Sequence, residues 1–276
     1  MKLIFLDIDG TLTLPGENTP PESAIKAIKS AQEAGNKVFL CTGRNLGMLS
    51  PLLRFGFDGV VGIAGGFVAL GNPEPKEVLF DCPMEDAQRD LALELLHKNG
   101  VFCTIESRDT TWGDENMGDF LKDQPEGNSE IERWRKALSE NLGILPMSRY
   151  DGSPIYKVVV MCTKMEQLDE AKEQLEKDFR FCMQMVPAHG CVNGELINRR
   201  FDKGRGVERV RAYFGASKED TFGFGDSMND LEMIETVGTS ICMANGAEAL
   251  KKIADFVCPS VSQDGLAEGF KHFGLF

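Results

Sequence analysis

Apolar runs and amphipathic segments alternate at both ends of the chain. The first run, residues 2–6 (KLIFL), is typical of a parallel strand that is buried on both faces. Apolar residues then recur at helical spacing between 24 and 31. Two more strand-like runs occupy residues 37–41 and 59–63, with a helical stretch near 46–55 between them. This order of elements predicts a doubly wound α/β sheet with parallel strands.

Local signals place the ends of the early elements. Thr19 is expected to cap the first helix, because two prolines follow it near the first turn, and Gly35 is expected to end that helix. Residues 65–81 are interpreted as a hairpin that turns through the sequence GNP at 71–73.

The order of helices and strands is different in the middle of the chain. Its strand and helix patterns do not alternate strictly, which predicts an α+β insert at residues 83–197. A polar stretch with Gly113, Gly118 and Gly127 follows the first strand of this insert. The helices of the insert are expected at 86–98, 129–142 and 165–177, and its strands at 101–106, 155–162, 180–186 and 191–197.

Alternating helices and strands return from Asp202 onward. Helices are expected at 204–214, from 226–230 onward, at 247–252 and at 265–270, and strands at 221–225, 239–243 and 256–258. The sequence therefore predicts a Rossmann-like core formed by residues 1–82 and 198–276, with the insert between its two halves.

Composition and charge limit the classes of molecule that this protein is expected to bind. The 276 residues are 42% hydrophobic and 26% charged, as is usual for a soluble globular protein. A formal net charge of −13 weighs against nucleic acid and anionic membranes, because both require clustered Lys and Arg. No apolar run reaches transmembrane length, and residues 1–6 lead into the candidate site rather than a cleavage signal, so a cytoplasmic protein is expected. Nothing in the sequence indicates an oligomeric state.

The eight cysteines are interpreted as small buried hydrophobes in a reducing compartment. They are scattered, and no Cys-x-x-Cys pair occurs, so a disulfide framework is not expected. His97, His189 and His272 form no metal-binding spacing with the cysteines and are interpreted as structural or surface residues. His189, near the end of the insert, is the histidine that could reach a substrate.

The first strand ends in two carboxylates that carry the candidate chemistry. Asp7 and Asp9 lie two positions apart, so both project to the same side, in the crevice where open α/β sheets bind ligands. Two anions held this close are costly unless a cation lies between them. Oxygen-only ligands favour Mg²⁺ over zinc as that cation.

Three further clusters follow predicted strand ends. Thr42 and Gly43 precede a helix N-terminus, where backbone amides and a hydroxyl favour an anion. Lys203 lies just before Gly204 and offers a point charge for phosphate oxygens. The third cluster, at a strand-to-helix turn, consists of Asp226, Asn229 and Asp230. The alternative interpretation of Asp226 is a helix N-cap, the commonest use of Asp in such a turn, and the two roles are compatible.

These clusters, in this order, resemble the motifs of the haloacid dehalogenase superfamily, in particular its Cof-like sugar-phosphatase group of type IIB with a C2 cap. The matching runs are 7–12 (DIDGTL), 42–44 (TGR), 203–204 (KG) and 225–230 (GDSMND), with 243–246 (MANG), 254–255 (AD) and 264–265 (DG) similar to the closing segment. The resemblance covers the core at both ends of the chain. Two departures are residues 64–67 (AGGF), where Asn-Gly-Ala is common, and Asn45, where proline is usual.

The resemblance implies a phosphatase that acts on small phosphorylated metabolites, with sugar phosphates the expected class. Asp7 would be the nucleophile that forms an aspartyl-phosphate, and Asp9 would be the acid and base. Mg²⁺ would be held by Asp7, the main-chain carbonyl of Asp9 and Asp226. The phosphate ligands implied are Ile8, Thr42, Gly43, Lys203 and Asn229, with Arg44, Ser227 and Asp230 in supporting positions.

The insert is expected to act as a cap that closes over the site and recognises the leaving group. A phosphomutase, which returns the phosphoryl group to a rebound sugar, is the alternative reaction for the same residues. A phospho-accepting signalling module is disfavoured by the second carboxylate at Asp9 and by the large insert, which a switch does not need.

Overall fold

The computed structural model of the chain describes residues 1–71, 76–122, 143–186 and 191–276. Its strands, in chain order, are β1 Leu3–Leu6, β2 Lys37–Cys41, β3 Gly59–Gly62, β4 Phe67–Leu70, β5 Glu77–Asp81, β6 Phe102–Ser107, β7 Thr111–Gly113, β8 Ile144–Pro146, β9 Ile155–Cys162, β10 Phe179–Val186, β11 Cys191–Asn198, β12 Thr221–Gly225, β13 Thr239–Met243 and β14 Phe256–Cys258. Its α-helices are Glu22–Glu33, Leu46–Leu53, Asp86–Lys98, Met117–Lys122, Asp169–Leu175, Lys203–Phe214, Leu231–Thr236, Glu248–Lys251 and Gly265–His272.

An eight-stranded sheet forms the first of two compact units. Its order is β14-β13-β12-β1-β2-β3-β4-β5, and the strands from β14 to β3 are parallel, whereas β3, β4 and β5 pair antiparallel. The four residues of β1 are fully buried, as a strand with neighbours on both sides and helices on both faces requires. The predicted doubly wound α/β core and the hairpin at 65–81 are confirmed.

Helices cover both faces of this sheet. On one face, Phe5 and Phe39 stack with ring centroids 5.3 Å apart, in a cluster that includes residues of the helices Lys203–Phe214 and Leu231–Thr236. On the other face, Phe224 of β12 packs against Phe270 at 5.3 Å. Alternate residues of each strand thus bury opposite sides of the sheet.

The chain divides into two compact units. The first consists of Met1–Arg44, Met48–Asp81 and Phe201–Phe276, and the second of Asn45–Gly47 and Cys82–Arg200. The second unit has a six-stranded sheet of order β10-β11-β9-β6-β7-β8, in which neighbours pair antiparallel except β7 and β8. Helices lie among its strands, as expected of an α+β insert.

The first helix does not begin as predicted. It starts at Glu22 with Pro21 as the N-cap, and no side chain caps it, so the assignment of Thr19 as the cap is wrong. The physical reason is that a residue before proline is disfavoured in the α region, which excludes Pro20 from the helix. The helix predicted at 165–177 is also shorter, with a 3₁₀ turn at Met165–Leu168 before the α-helix Asp169–Leu175.

The polar stretch of the insert contains more regular structure than its composition indicates. Gly113 ends β7 and Gly118 lies in the helix Met117–Lys122, and neither of these elements nor β8 is predicted by the sequence. Short elements of three to six residues carry too little periodicity to be seen in a sequence. The predicted helix at 129–142 lies outside the described residues, as do positions 72–73 of the predicted turn, Gly127 and His189.

His97 lies close to a cysteine, because possible ligand atoms of His97, Cys103 and Asp114 are within 4.8 Å of one another, so the prediction that the histidines form no metal-binding set with the cysteines does not hold for His97. All eight cysteines are free thiols, and seven of them are buried, Cys182 being the exposed one. His97 lies 3.1 Å from a carboxylate oxygen of Asp114, and His272 stacks on Phe256. No helix among the residues described above is long and apolar enough to cross a membrane.

Replacing Phe39 with alanine should destabilise the first unit, because its ring is fully buried against Phe5 and Phe214. We expect the free energy of unfolding to fall by about 3–5 kcal/mol in urea titrations. The matched control is Phe276→Ala, at a position 52% exposed, which should change stability by less than about 0.5 kcal/mol. Equal effects of the two variants would contradict this assignment of the core.

Candidate active site

The predicted clusters meet at one edge of the eight-stranded sheet. Asp7 follows β1, Thr42 follows β2 and Asp226 follows β12. Because β1 pairs in parallel with both β2 and β12, these residues end neighbouring strands at the same side. Lys203 begins the helix Lys203–Phe214 and extends its side chain to Asp7.

A buried ammonium group joins two of the carboxylates. Nζ of Lys203 donates to Oδ1 of Asp7 at 2.7 Å and to Oδ1 of Asp230 at 2.5 Å, and it lies 3.4 Å from Oδ1 of Asn229. Lys203 is only 1% exposed. Burial alone would lower the pKa of Lys203, but the carboxylates of Asp230 and Asp7 outweigh it and raise that pKa, so the ammonium stays charged.

Asp226 lies against the loop that follows Asp7. Gly10 has φ +88°, and a Cβ atom at this position would lie 2.3 Å from Oδ2 of Asp226. The hydroxyl of Thr11 donates to Oδ1 of Asp226 at 3.3 Å. Nδ2 of Asn245 donates to the carbonyl oxygen of Gly10 at 2.8 Å and fixes the same loop from outside. Because a Cβ at position 10 would collide with Asp226, only glycine at position 10 allows the loop after Asp7 to lie this close to Asp226.

Negative charge is in excess at this edge of the sheet. Carboxylate oxygens of Asp7, Asp226 and Asp230 lie within 4.8 Å of one another. Burial, together with the charge of Asp230, raises the pKa of Asp226 to about 7, and the same two causes hold the pKa of Asp7 well above its usual range. When all three carboxylates are ionised, the ammonium of Lys203 balances one of them, and two negative charges remain without a cation in the described part of this cluster.

This donor set fits a small divalent cation. Mg²⁺ prefers hard oxygen ligands, and carboxylates whose negative charge is not compensated attract it. Asp230 is already occupied, because its Oδ2 accepts from the backbone amides of Asp226 at 3.0 Å and Ser227 at 3.1 Å, while its Oδ1 accepts from Lys203. Asp7 and Asp226 are therefore the carboxylates whose arrangement suits a metal ion.

Asp9 lies apart from this network and is held by a guanidinium group. Nε of Arg44 donates to Oδ2 of Asp9 at 2.9 Å, and Nη2 of Arg44 donates to Oδ1 at 2.6 Å. The backbone amide of Gly16 donates to the same Oδ1 at 2.8 Å, and Nη1 of Arg44 donates to Asn18. This bidentate pair fixes the orientation of Asp9.

The loop after β2 is fixed by a strained segment after β3. The amide of Ile63 donates to the carbonyl of Arg44 at 3.0 Å, and the amide of Ala64 donates to that of Thr42 at 2.9 Å. Ile63 and Ala64 have φ of 51° and 53°. Such conformations cost about 1–3 kcal/mol each in residues other than glycine, and they occur where the surrounding structure imposes them. They help to fix Thr42 and Arg44 in place.

The other predicted phosphate ligands are close to these groups. Thr42 is buried, and its Oγ1 accepts from the amide of Arg44 at 3.1 Å, whereas open space lies beside the Cα of Gly43. The Ile8 side chain is buried, so only its main chain is available. Ser227 Oγ donates to Asn229 Oδ1 at 2.7 Å.

Asp226 is not a helix cap. Ser227 is the N-cap of the turn at Met228–Asp230, and Asp230 accepts from its backbone amide. The N-cap interpretation of Asp226 is therefore wrong, because the next residue has that role. Sequence reasoning missed two residues that support the site. Asn18, which accepts from Arg44, is marked by no local motif, whereas Asn245, which donates to Gly10, occurs in the closing motif at 243–246.

The chain belongs to the haloacid dehalogenase-like hydrolases, because it matches the sequence profile of that family over residues 4–270. The phosphatase-like relative YkrA of Bacillus subtilis (strain 168) is 31% identical to this chain, and the alignment covers 99% of this chain and 98% of YkrA. The 5-amino-6-(5-phospho-D-ribitylamino)uracil phosphatase YwtE of the same organism is 29% identical over 97% of this chain and 96% of its own.

A solved structure with the same fold is that of the sugar phosphatase BT4131, of subclass IIB in this superfamily. It superimposes with a TM-score of 0.78 at 21% identity and covers 100% of both chains. The predicted superfamily and fold, and an enzyme of the hydrolase type, are thereby confirmed.

Substitution of Gly10 by alanine should impair the site, because the added Cβ would displace Asp226. We expect kcat/KM for p-nitrophenyl phosphate, measured with Mg²⁺, to fall about 100-fold. Gly35→Ala is the matched control, because Gly35 has the same positive φ (+88°) but has nothing within 4 Å of its Cβ position. Equal activity of the two variants, with thermal unfolding verified for both, would show that close packing at Gly10 is not required.

Proposed function

We propose that this enzyme is a Mg²⁺-dependent phosphomonoesterase of small phosphorylated metabolites, with sugar phosphates as the expected class. The observation that carries the proposal is the Asp7 carboxylate, buried at the carboxyl edge of the sheet, 2.7 Å from the ammonium of Lys203 and beside Asp226. The names of YwtE and BT4131 support phosphate-ester hydrolysis.

In the first half-reaction, a carboxylate oxygen of Asp7 attacks phosphorus. A P–O bond to Asp7 forms while the bond to the ester oxygen breaks, and Asp9 gives its proton to the departing alcohol. Lys203 stays charged and stabilises the negative charge that moves onto the phosphoryl oxygens. The hydroxyl of Thr42, the amides at Gly43 and Ile8, and the amide of Asn229 would orient the group for in-line transfer.

In the second half-reaction, water attacks the same phosphorus atom. Asp9, now a carboxylate, accepts a proton from this water, and the P–O bond to Asp7 breaks to release inorganic phosphate. The bidentate contact with Arg44 keeps the carboxyl group of Asp9 in one orientation.

Mg²⁺ would be held by Asp7, Asp226 and the main-chain carbonyl of Asp9. When bound there, it would offset the repulsion between the carboxylate of Asp7 and the negative phosphoryl group. Asp230 then serves to hold Lys203 and the loop of Asp226 rather than the metal.

An Asp9→Asn variant should trap the intermediate. With p-nitrophenyl phosphate, whose leaving group needs little protonation, the enzyme should still be phosphorylated on Asp7 but should turn over about 100- to 10,000-fold more slowly, because no base activates water. The measurement is the stoichiometry of acid-stable phosphoenzyme by mass spectrometry after quenching.

Asp7→Asn is the control for that experiment, because it lacks the nucleophile and should form no phosphoenzyme. Phosphorylated Asp7→Asn protein would remove the nucleophile assignment. Sugar phosphate interconversion without release of free phosphate would identify a mutase instead.

Asp226→Ala should raise the Mg²⁺ concentration required for half-maximal activity by at least about tenfold, because one of two carboxylate ligands is removed. The measurement is a Mg²⁺ titration of phosphate release. Asp220→Ala is the matched control: Asp220 precedes the same strand at its other end and pairs with Lys2 at the surface. An unchanged Mg²⁺ requirement of Asp226→Ala would exclude Asp226 as a ligand.

A further inference from the structure

A histidine, a cysteine and an aspartate converge within the second unit. His97 lies in the last turn of the helix Asp86–Lys98, Cys103 lies on β6, and Asp114 directly follows β7. One possible ligand atom of each residue lies within 4.8 Å of those of the other two. All three residues belong to the same compact unit, so their arrangement depends on the fold of that unit alone.

Hydrogen bonds of the main chain fix these three positions. The amide of Asp114 donates to the carbonyl of Cys103 at 3.0 Å, and the amide of Cys103 donates to Oδ2 of Asp114 at 2.7 Å. The amide of Gly100 donates to the carbonyl of His97 at 3.0 Å and closes the turn between the helix and β6. Binding of a ligand among the three side chains would therefore require only side-chain movement.

The cluster is open to solvent at the histidine and backed by the apolar core at the cysteine. The side chain of His97 is 42% exposed, whereas Cys103 is fully buried in an apolar cluster with Leu96 and Ile105. An ion can thus enter past the imidazole and meet a sulfur atom for which water does not compete. An apolar shell of this kind controls solvent access to a metal site.

The charges of the three groups suit a divalent cation. Nε2 of His97 now lies 3.1 Å from Oδ2 of Asp114, and a metal ion on the imidazole would replace this hydrogen bond. The thiol of Cys103 would lose its proton to water, because the thiolate is the form that binds metals. One thiolate, one carboxylate and one neutral imidazole together compensate the two positive charges of the ion.

The chemistry of the donors selects the metal. A set of one sulfur, one nitrogen and one oxygen atom is typical of Zn²⁺, whereas Mg²⁺ requires oxygen ligands. Ligand atoms about 2.0–2.3 Å from a tetrahedral ion are roughly 3.3–3.8 Å apart, so side-chain movements of roughly 1 Å would bring the three atoms into place.

We propose that His97, Cys103 and Asp114 form a Zn²⁺ site in the second unit, with a fourth position open to water. This site differs from the candidate Mg²⁺ site in its thiolate and imidazole, and it does not depend on the function proposed above. The ion would join the end of the helix Asp86–Lys98 to β6 and to the residue after β7, so its binding would stabilise this unit.

The first test titrates the reduced full-length chain with Co²⁺ in excess Mg²⁺. Cobalt substitutes for zinc, and a bound thiolate gives it an intense charge-transfer band in the near ultraviolet, which oxygen ligands do not. We expect one equivalent of Co²⁺ to saturate this band and Zn²⁺ to abolish it by displacement. Cys103→Ser should lack the band, whereas Cys182→Ser, at the exposed cysteine, should retain it.

The second test leaves the core unchanged, because His97 is exposed. We expect His97→Gln to bind Zn²⁺ at least about 100-fold more weakly in competition with a chromogenic chelator, since even partners of metal ligands are worth about 10- to 100-fold in affinity. The increase in Tm that Zn²⁺ gives the wild type should be lost as well. His272→Gln is the matched control, at another exposed histidine in the last turn of a helix, and should retain both properties.

Three results would overturn the proposal. The first is a wild-type protein without the thiolate band, and the second is a band that persists in Cys103→Ser. The third is an unchanged Zn²⁺ affinity of His97→Gln, which would leave His97 and Asp114 as a hydrogen-bonded pair only. If Cys103→Ser does not fold, the comparison of His97→Gln with His272→Gln decides.

Discussion

The buried ammonium of Lys203 is the interaction on which the candidate site depends. Two of its contacts are carboxylates from distant parts of the chain, and it lies in the interior, where an unpaired charge would cost several kcal/mol. Its helix is placed by close approaches that only glycine permits: a Cβ at Gly204 would lie 2.4 Å from the carbonyl oxygen of Glu232, and one at Gly206 would lie 2.3 Å from Val61. The first turn of this helix thus packs against its neighbours and fixes the charge.

Lys203 does not neutralise the site by itself. The pKa values of Asp7 and Asp226 are raised because burial and Asp230 disfavour further negative charge. A site in this condition is costly as a purely structural arrangement and favourable as a binding site for a cation. The same reasoning separates Asp230 from its neighbours, since its hydrogen bonds to two backbone amides and to Lys203 already compensate its charge.

Much of the fold and of the candidate site could be predicted from the sequence, and there is a physical reason why the other features could not. Asp7, Thr42 and Asp226 could be grouped because each follows a buried apolar run, and parallel strands bring such ends together. The pairing of Asp9 with Arg44 could not, because it depends on the path of the loop at residues 10–18, where no periodic pattern exists. The buried ion pairs of Lys157 with Glu106 and Glu195 are equally hidden, because the three residues belong to separate strands and look in the sequence like ordinary polar strand positions.

A net charge of −13 and an anionic substrate are compatible only if recognition is local. At physiological ionic strength exposed charges are screened beyond about 8 Å, so the surface of the protein neither attracts nor strongly repels a phosphate ester that has reached the edge of the sheet. Inside that distance the relevant charges are the ammonium of Lys203 and the cation that Asp7 and Asp226 would share. Because Lys203 is buried, its charge is screened much less than surface charges are and acts at close range. Such an arrangement binds the transferring group through its immediate contacts, and it leaves the choice among phosphate esters to the part of the molecule that contacts the alcohol.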